Sequence, residues 1–495
     1  MSKLIIQNGN MCELDLPLKF AQKLYNEFAI RHPNAFYLRT RQRGMQNWDG
    51  KIHYITKTGQ FKIGLLPKVY DMCIEMGIKP KVVDMRQPLP KVSKVVTKIG
   101  KYKLRPEQEK AVKAVINNTI GGKPFHIGVL DYTVNAGKTL IMSSLYLSYK
   151  KQLKTLLITN DSDWLNQARE EFKQYLPGED ITFVQGKVLN WSNFTIGMVQ
   201  SISRNMRFYQ KELSQIDMVL IDEADQGGSR QYQNVITRLF NTRIRIGLSG
   251  TIYMSKLAKD KVKNMNLECF FGKVLAEFKL RDSIKKGYST KTVVKMVPGK
   301  PWYGNWESDC ISYKEIYDDS ITNSYTAWLM AYSRLRWNIN QGRYPALVVC
   351  KHIAHCENLY KFFKKKLGDA YNIAYVHVNT KSKLRQQIMK DFRDGKIDIL
   401  VSTTIIARGK NFPKLRYLLN AASMDSQEKS IQFLGRLVRT DKSKKKVYLD
   451  DLHYPGPYLD RHGKHRKQYY QRQELKVILL DKLWKKHPNH SLIKS

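Results

Sequence analysis

The sequence predicts an α/β protein. Two parallel-sheet domains stand in tandem, with a small α/β unit before them and a helical segment after. Two observations lead to this fold class. Short apolar runs alternate with helical stretches, first over about 100–290 and again from about 320. Runs of that kind are what parallel strands buried on both faces look like. A chain of 495 residues also exceeds what one hydrophobic core holds.

Taken in order, residues 1–95 form the small leading unit. Strands are predicted at 4–7, 35–40 and 51–55, with helices over 17–30 and near 69–76. The Pro- and Lys-rich stretch 79–92 reads as a linker. The first sheet domain spans 96–295, with strands at 127–130, 155–159, 195–199, 218–221 and 245–249, and a crossing segment over 287–302 follows. The second spans 296–455, with strands at 346–350, 374–378, 397–402, 417–421 and 447–449. A basic helical tail is expected over 456–495, with Tyr469, Leu475, Ile478, Leu479 and Trp484 as its apolar contacts.

Composition narrows the function. Lys and Arg number 85 against 43 Asp and Glu, a formal charge of +42. Such a surface suits a polyanion, and nucleic acid is the first choice. A lysine-rich proteome would give part of the same excess, and runs such as Lys364–Lys366 and Lys444–Lys446 read as solvated faces. At 42% hydrophobic residues the chain is not generally disordered. No apolar run reaches the ~20 residues of a membrane-spanning helix. The first residues are too short in apolar length for a secretory signal, so a cytoplasmic protein is expected. Six scattered cysteines fit a reducing compartment. The Cys350 to Cys356 stretch, with His352 and His355, has no common zinc spacing and reads as a strand end entering a helix.

The chemistry concentrates in a few short strings. Residues 132–139 read Tyr-Thr-Val-Asn-Ala-Gly-Lys-Thr, between an apolar strand and a helix-forming run. This is the pattern of a loop that cradles phosphates. Asn135, Ala136 and Gly137 offer backbone N–H groups, Lys138 reaches the β- and γ-phosphates, and the Thr139 hydroxyl holds Mg²⁺. Tyr132 stands where the strict pattern has its first glycine. Downstream, the apolar strand 218–221 runs into Asp222-Glu223-Ala224-Asp225. Asp222 is placed to hold the metal, and Glu223 to orient and deprotonate water.

Asp-Glu-Ala-Asp after a strand, with Gly-Lys-Thr upstream, resembles the superfamily 2 helicases, in which the loop's first glycine is commonly absent. The resemblance implies two RecA-like domains, ATP and Mg²⁺. It assigns Gln108 to the adenine edge, Asn160, Gln167, Gln200 and Ser201 to the nucleic-acid backbone, and Ser249 and Thr251 to coupling. In the second domain it implies nucleic-acid contacts at Lys351, His352 and Thr404, nucleotide contacts at Gly409 and Asn411, and coupling at Gln432. Arg436 and Arg439, in Gln-x-x-Gly-Arg-x-x-Arg, are expected one helical turn apart, facing the γ-phosphate as catalytic cations with Lys138, Asp222 and Glu223.

The leading unit narrows the resemblance. Asn47-Trp48-Asp49-Gly50-Lys51-Ile52 is similar to an element of the UvsW-type recombination helicases of T-even phages. That implies a monomeric DNA-dependent ATPase, working in an infected host's cytoplasm, that remodels forks, Holliday junctions and R-loops. Arg39, Arg41, Arg43, Trp48 and Lys51 are the nucleic-acid candidates of this unit, Trp48 alternatively being its core anchor, and Asp49-Gly50 reads as a hairpin turn. An RNA helicase and a non-catalytic ATP-binding clamp are the competing readings.

Overall fold

The computed structural model describes residues 2–41, 44–149, 152–186, 188–252, 260–299, 312–407, 412–441 and 444–480. The chain divides into two compact units, Met1–Phe278 and Lys279–Ser495.

In the first unit an eight-stranded sheet runs in the order Val188–Leu189, Ile181–Gln185, Phe194–Met198, Thr155–Thr159, Met218–Asp222, Ile244–Ser249, His126–Tyr132, Val274–Phe278. Every pairing is parallel except that of the short first strand. The central strands are buried at every position, which is why they read as continuous apolar runs rather than alternating ones. Because they are parallel, their carboxyl ends share one edge, where ligands bind in open α/β sheets.

A four-stranded sheet precedes it, in the order Gln60–Lys62, Met11–Asp15, Lys3–Ile6, Lys81–Asp84. It has no separate core. Leu4, Phe61 and Val69 belong to the same buried cluster as Ile127, Val219 and Phe271. Gly9 lets the backbones meet, since a Cβ there would lie 2.6 Å from the Leu239 carbonyl oxygen. Arg245, fully buried in the large sheet, donates to Gly9 O (2.6 Å), Asn10 Oδ1 (2.7 Å) and Phe270 O (3.1 Å).

The second unit is a seven-stranded, wholly parallel sheet. Its order is Ile373–Val376, Ile399–Thr403, Ala346–Cys350, Tyr417–Asn420, Lys446–His453, Lys291–Pro298, Val477–Leu479. Helices Tyr325–Ile339 and Ile353–Leu367 pack on it through Leu335, Leu359 and Phe363. Two buried ion pairs tie helices to the strand Lys446–His453: Arg334–Asp450 at 2.7 Å and Arg466–Asp451 at 2.9 Å.

Several sequence expectations are corrected. The segment 35–40 is not a strand but part of the helix Ala35–Arg41. Asp49-Gly50 is not a hairpin turn, because the strand it leads into, Lys51–His53, pairs with Ala29–Arg31 across that helix. The linker 79–92 contains a strand, Lys81–Asp84, which completes the small sheet beside Lys3–Ile6. The crossing at 287–302 holds the strand Lys291–Pro298, an interior member of the second sheet. Among the described residues of the basic tail, Leu459–Arg472 is helical and Val477–Leu479 is a strand, while Trp484 lies outside the described residues. Lys444 is not solvated but buried.

Candidate functional site

The strand His126–Tyr132 feeds a turn that opens the helix Lys138–Ser148. Asn135 (φ 63°) and Gly137 (φ 72°) are both left-handed, the curl that turns successive N–H groups inward. Glycine suits 137, because its left-handed φ strains other residues and a Cβ there would displace Gln108 Nε2. Lys138 Nζ stands 3.2 Å from Asp222 Oδ1. The strand that leads into the loop and the strand that ends at Asp222 flank Ile244–Ser249, which ends on Ser249. Its hydroxyl donates to Asp225 Oδ1 (2.7 Å) and lies 3.1 Å from Thr251 Oγ1. The hydroxyl pair expected to couple the acidic motif onward is thus bonded to that motif.

The site gathers acidic groups around one lysine. Burial works against charge on Lys138, but Asp222, Glu223 and Asp225 outweigh it and hold its pKa above the ordinary value. Burial, with Asp222 and Asp225 adding to it, pushes the Glu223 carboxyl up to about 8. Asp222 Oδ1 is buried and faces the Lys138 ammonium. A buried carboxylate at a strand end and the Thr139 hydroxyl at the start of the phosphate-loop helix are oxygen donors of the kind that fit a divalent cation.

Gln108 holds the loop from behind. Its Oε1 accepts from Arg105 N (2.9 Å) and its Nε2 donates to Ala136 O (2.8 Å). Arg105, which the sequence reading passed over, donates to Asn135 O (3.0 Å) and pairs with Glu107 (3.1 Å). Tyr132, at the missing glycine, is fully buried and donates its hydroxyl to Glu107 O (2.7 Å). The aromatic residue therefore fastens the Gln108 segment to the loop strand. The signal was present in the apolar strand that ends on it.

Along the same edge, Asn160 follows the strand Thr155–Thr159, and Gln200 and Ser201 lie in the helix Val199–Arg204 that follows Phe194–Met198. Gln200 Nε2 donates to Asn160 O (3.4 Å), and Ser201 Oγ accepts from Gly186 N (2.9 Å). Gln167 lies on the helix Ser162–Tyr175 that follows Asn160, and its Nε2 donates to Glu171 Oε1 (2.7 Å). Trp48 is half-buried, donating Nε1 to Lys51 O (2.9 Å) with its ring edge toward His32. It is a local anchor and lies outside the large buried cluster.

The second unit repeats the edge arrangement. Lys351 and His352 follow Ala346–Cys350, and Thr404 follows Ile399–Thr403. Lys351 Nζ sits 3.9 Å over the Tyr313 ring. Thr404 Oγ1 accepts from Lys429 Nζ at 3.5 Å. Gln432 and Arg436 lie on the helix Gln427–Leu437, but Arg439 lies beyond its end. The arginines are therefore not two positions of one helical stripe. The chain leaves the helix at Val438, and Arg439 O accepts from Thr290 Oγ1 (3.1 Å). Lys444 is a residue the sequence reading missed. It donates to Leu437 O and Leu415 O (3.1 Å each), capping the arginine-bearing helix, and burial pulls its pKa down to about 8. Gly409 and Asn411 lie outside the described residues.

Residues 101–254 match the family described as "Type III restriction enzyme, res subunit", and residues 331–441 match the helicase conserved C-terminal domain. The chain belongs to the superfamily 2 helicases. The phage T4 protein "ATP-dependent DNA helicase uvsW" is 21% identical over 435 residues, covering 82% of each chain. "Putative ATP-dependent helicase IRC3" of Saccharomyces cerevisiae is 24% identical over 377 residues, 70% of this helicase and 51% of the yeast protein. This chain thus matches only about half the length of that relative. Among solved structures, a fragment of a putative HsdR subunit of a type I restriction enzyme from Vibrio vulnificus superposes with a TM-score of 0.58 at 14% identity, over 87% of this helicase and 78% of that chain. That likeness concerns the fold.

Proposed function

We propose that this protein is an ATP-driven motor that translocates along and remodels branched DNA. The observation that carries the reading is the approach of Lys138 to Asp222 at 3.2 Å, at the mouth of a loop kept open by left-handed Asn135 and Gly137. Lys138 and the loop N–H groups hold the phosphates, with Thr139 and Asp222 placed for Mg²⁺, which when bound would neutralise phosphate charge. Glu223, held up at about 8, takes the proton of the attacking water once cationic charge lowers it. The role of Arg436 and Arg439 as charge-stabilising cations rests on the motif they stand in. The surplus of 85 basic over 43 acidic residues favours a polyanionic track gripped without sequence preference. Branched DNA is chosen over RNA because of the likeness of the leading unit to UvsW-type proteins, whereas Asp222-Glu223-Ala224-Asp225 is common to RNA helicases.

The test is ATPase activity measured side by side with forked DNA, duplex, single strand and RNA. Forked DNA should stimulate most, and Lys138→Ala or Glu223→Gln should lower the stimulated rate on the order of a hundredfold or more. Stronger stimulation by RNA would reassign the substrate. Equal turnover in wild type and Glu223→Gln would remove the motor.

A further inference from the structure

The helix Ala35–Arg41 is at odds with the rest of the fold. Of its seven residues only Ala35 is buried, while Phe36 is 80% and Tyr37 55% exposed. Soluble proteins seldom leave two adjacent aromatic side chains in water on a helix held so lightly, and such a patch marks a surface with a partner. Arg39 and Arg41 are exposed beside them. Residues four apart share a helix face, and here the Arg41 guanidinium lies 5.0 Å from the Tyr37 ring centroid. Phe36 and Arg39, three apart, make the neighbouring stripe. Between 29 and 53 the sequence carries five basic side chains and one acid. That acid, Asp49, is engaged by His53 at 2.7 Å.

The platform has a firm base. Ala35 packs where Gly50 has no side chain, its Cβ 3.1 Å from where a Gly50 Cβ would stand. The pairing of Ala29–Arg31 with Lys51–His53 closes the segment, and His53 stacks on Tyr25. The Tyr54 hydroxyl then bonds Asn266 Oδ1 (2.9 Å) on the helix Lys261–Phe271 of the phosphate-loop unit.

We propose that Ala35–Arg41 is a base-stacking platform for unpaired nucleic acid, with Phe36 and Tyr37 against exposed bases and Arg39 and Arg41 on the adjoining phosphates. Flat aromatic rings match the faces of bases, which a duplex hides and a single strand offers. Arginines fit the phosphates, so charge complementarity selects nucleic acid over a neutral protein surface. The inference rests on the nucleic-acid part of the proposed function and is independent of ATP turnover. It places a detector of unpaired strand on the same compact unit as the ATP loop.

The experiment uses the full chain without nucleotide, with fluorescence anisotropy on labelled oligothymidine, an abasic strand of equal length, duplex DNA and oligouridine. Phe36→Ala/Tyr37→Ala should weaken oligothymidine binding about tenfold or more while changing abasic-strand and duplex binding by less than about twofold. Phe36→Trp/Tyr37→Trp should restore it. Arg39→Ala/Arg41→Ala should weaken all strands, the abasic one included. Ring-dependent binding of either oligothymidine or oligouridine supports the platform, and the tighter of the two names the source as DNA or RNA. An unchanged double-alanine variant, or equal losses on abasic strand and duplex, overturns it. So does a concentration-dependent dimer, seen by light scattering, that the alanine variant abolishes, because the patch would then belong to a second copy. Thermal unfolding should match wild type, since both rings are exposed. A wild type that turns over no ATP yet shows the ring-dependent pattern sinks the motor and leaves the platform standing.

Discussion

The two sheet units share a fold and treat buried charge in opposite ways. In the second unit the buried acids are neutralised. Asp450 receives Arg334 and the Tyr417 hydroxyl, while Asp451 receives Arg466, Tyr470 and Asn420. In the first unit Asp222, Glu223 and Asp225 crowd together around Lys138. There the buried arginine, Arg245, is spent on neutral acceptors that fasten the leading sheet, and burial pulls its pKa down to about 9. In the second sheet each of these two buried acids thus has an arginine partner. The other gathers Asp222, Glu223 and Asp225 around one lysine at its carboxyl edge, a crowding of acids that suits a site for cations.

That contrast can be broken by substitution, read in urea-unfolding free energies without nucleotide or metal. The largest loss should come from Arg466→Met, about 3–5 kcal/mol, because it strands the fully buried Asp451. Arg245→Met leaves only neutral acceptors unpaired and should cost less, about 1–3 kcal/mol. If Arg245→Met proves the costlier, the contrast between the two units fails. Lys444→Ala should cost a similar ~1–3 kcal/mol by exposing the Leu437 and Leu415 carbonyls. Its diagnostic is pH. The folded-state pKa of Lys444 lies below the unfolded value, so folding expels its proton. Its contribution should therefore become more favourable as pH rises from about 8 toward the ordinary lysine value, and the alanine variant should lose that slope. The smallest effect has the opposite sign. Glu223→Gln removes repulsion from Asp222 and Asp225, and should leave the protein as stable as wild type or about 0–1 kcal/mol more stable, even as it stops turnover. A clear loss of stability there would show that the acidic cluster is already balanced.

Much of the candidate nucleotide site was legible in the chain because it is built from contiguous residues at strand ends. Gly137-Lys138-Thr139 and Asp222-Glu223 need only a strand before them to take their places, and apolar runs announce such strands. The seven-residue Ala35–Arg41 was misread because a short apolar-aromatic run fits a strand as well as a helix. Reading it as a strand hid the exposure of Phe36 and Tyr37. Lys291–Pro298 was missed because Thr292, Lys295 and a terminal proline interrupt its apolar character. Arg436 and Arg439 were expected on one stripe because their spacing is helical, but the helix ends between them.

By itself the sequence determined the doubled parallel-sheet architecture, the strong positive charge and the order of the phosphate-binding motifs, since these depend on local pattern and composition. Which charges are paired and which are crowded together was decided only by tertiary structure. Arg245 meets Gly9 across 236 positions of chain and Arg334 meets Asp450 across 116. Partnerships at such separations follow from how sheets and helices pack, and nothing in the neighbouring residues encodes them.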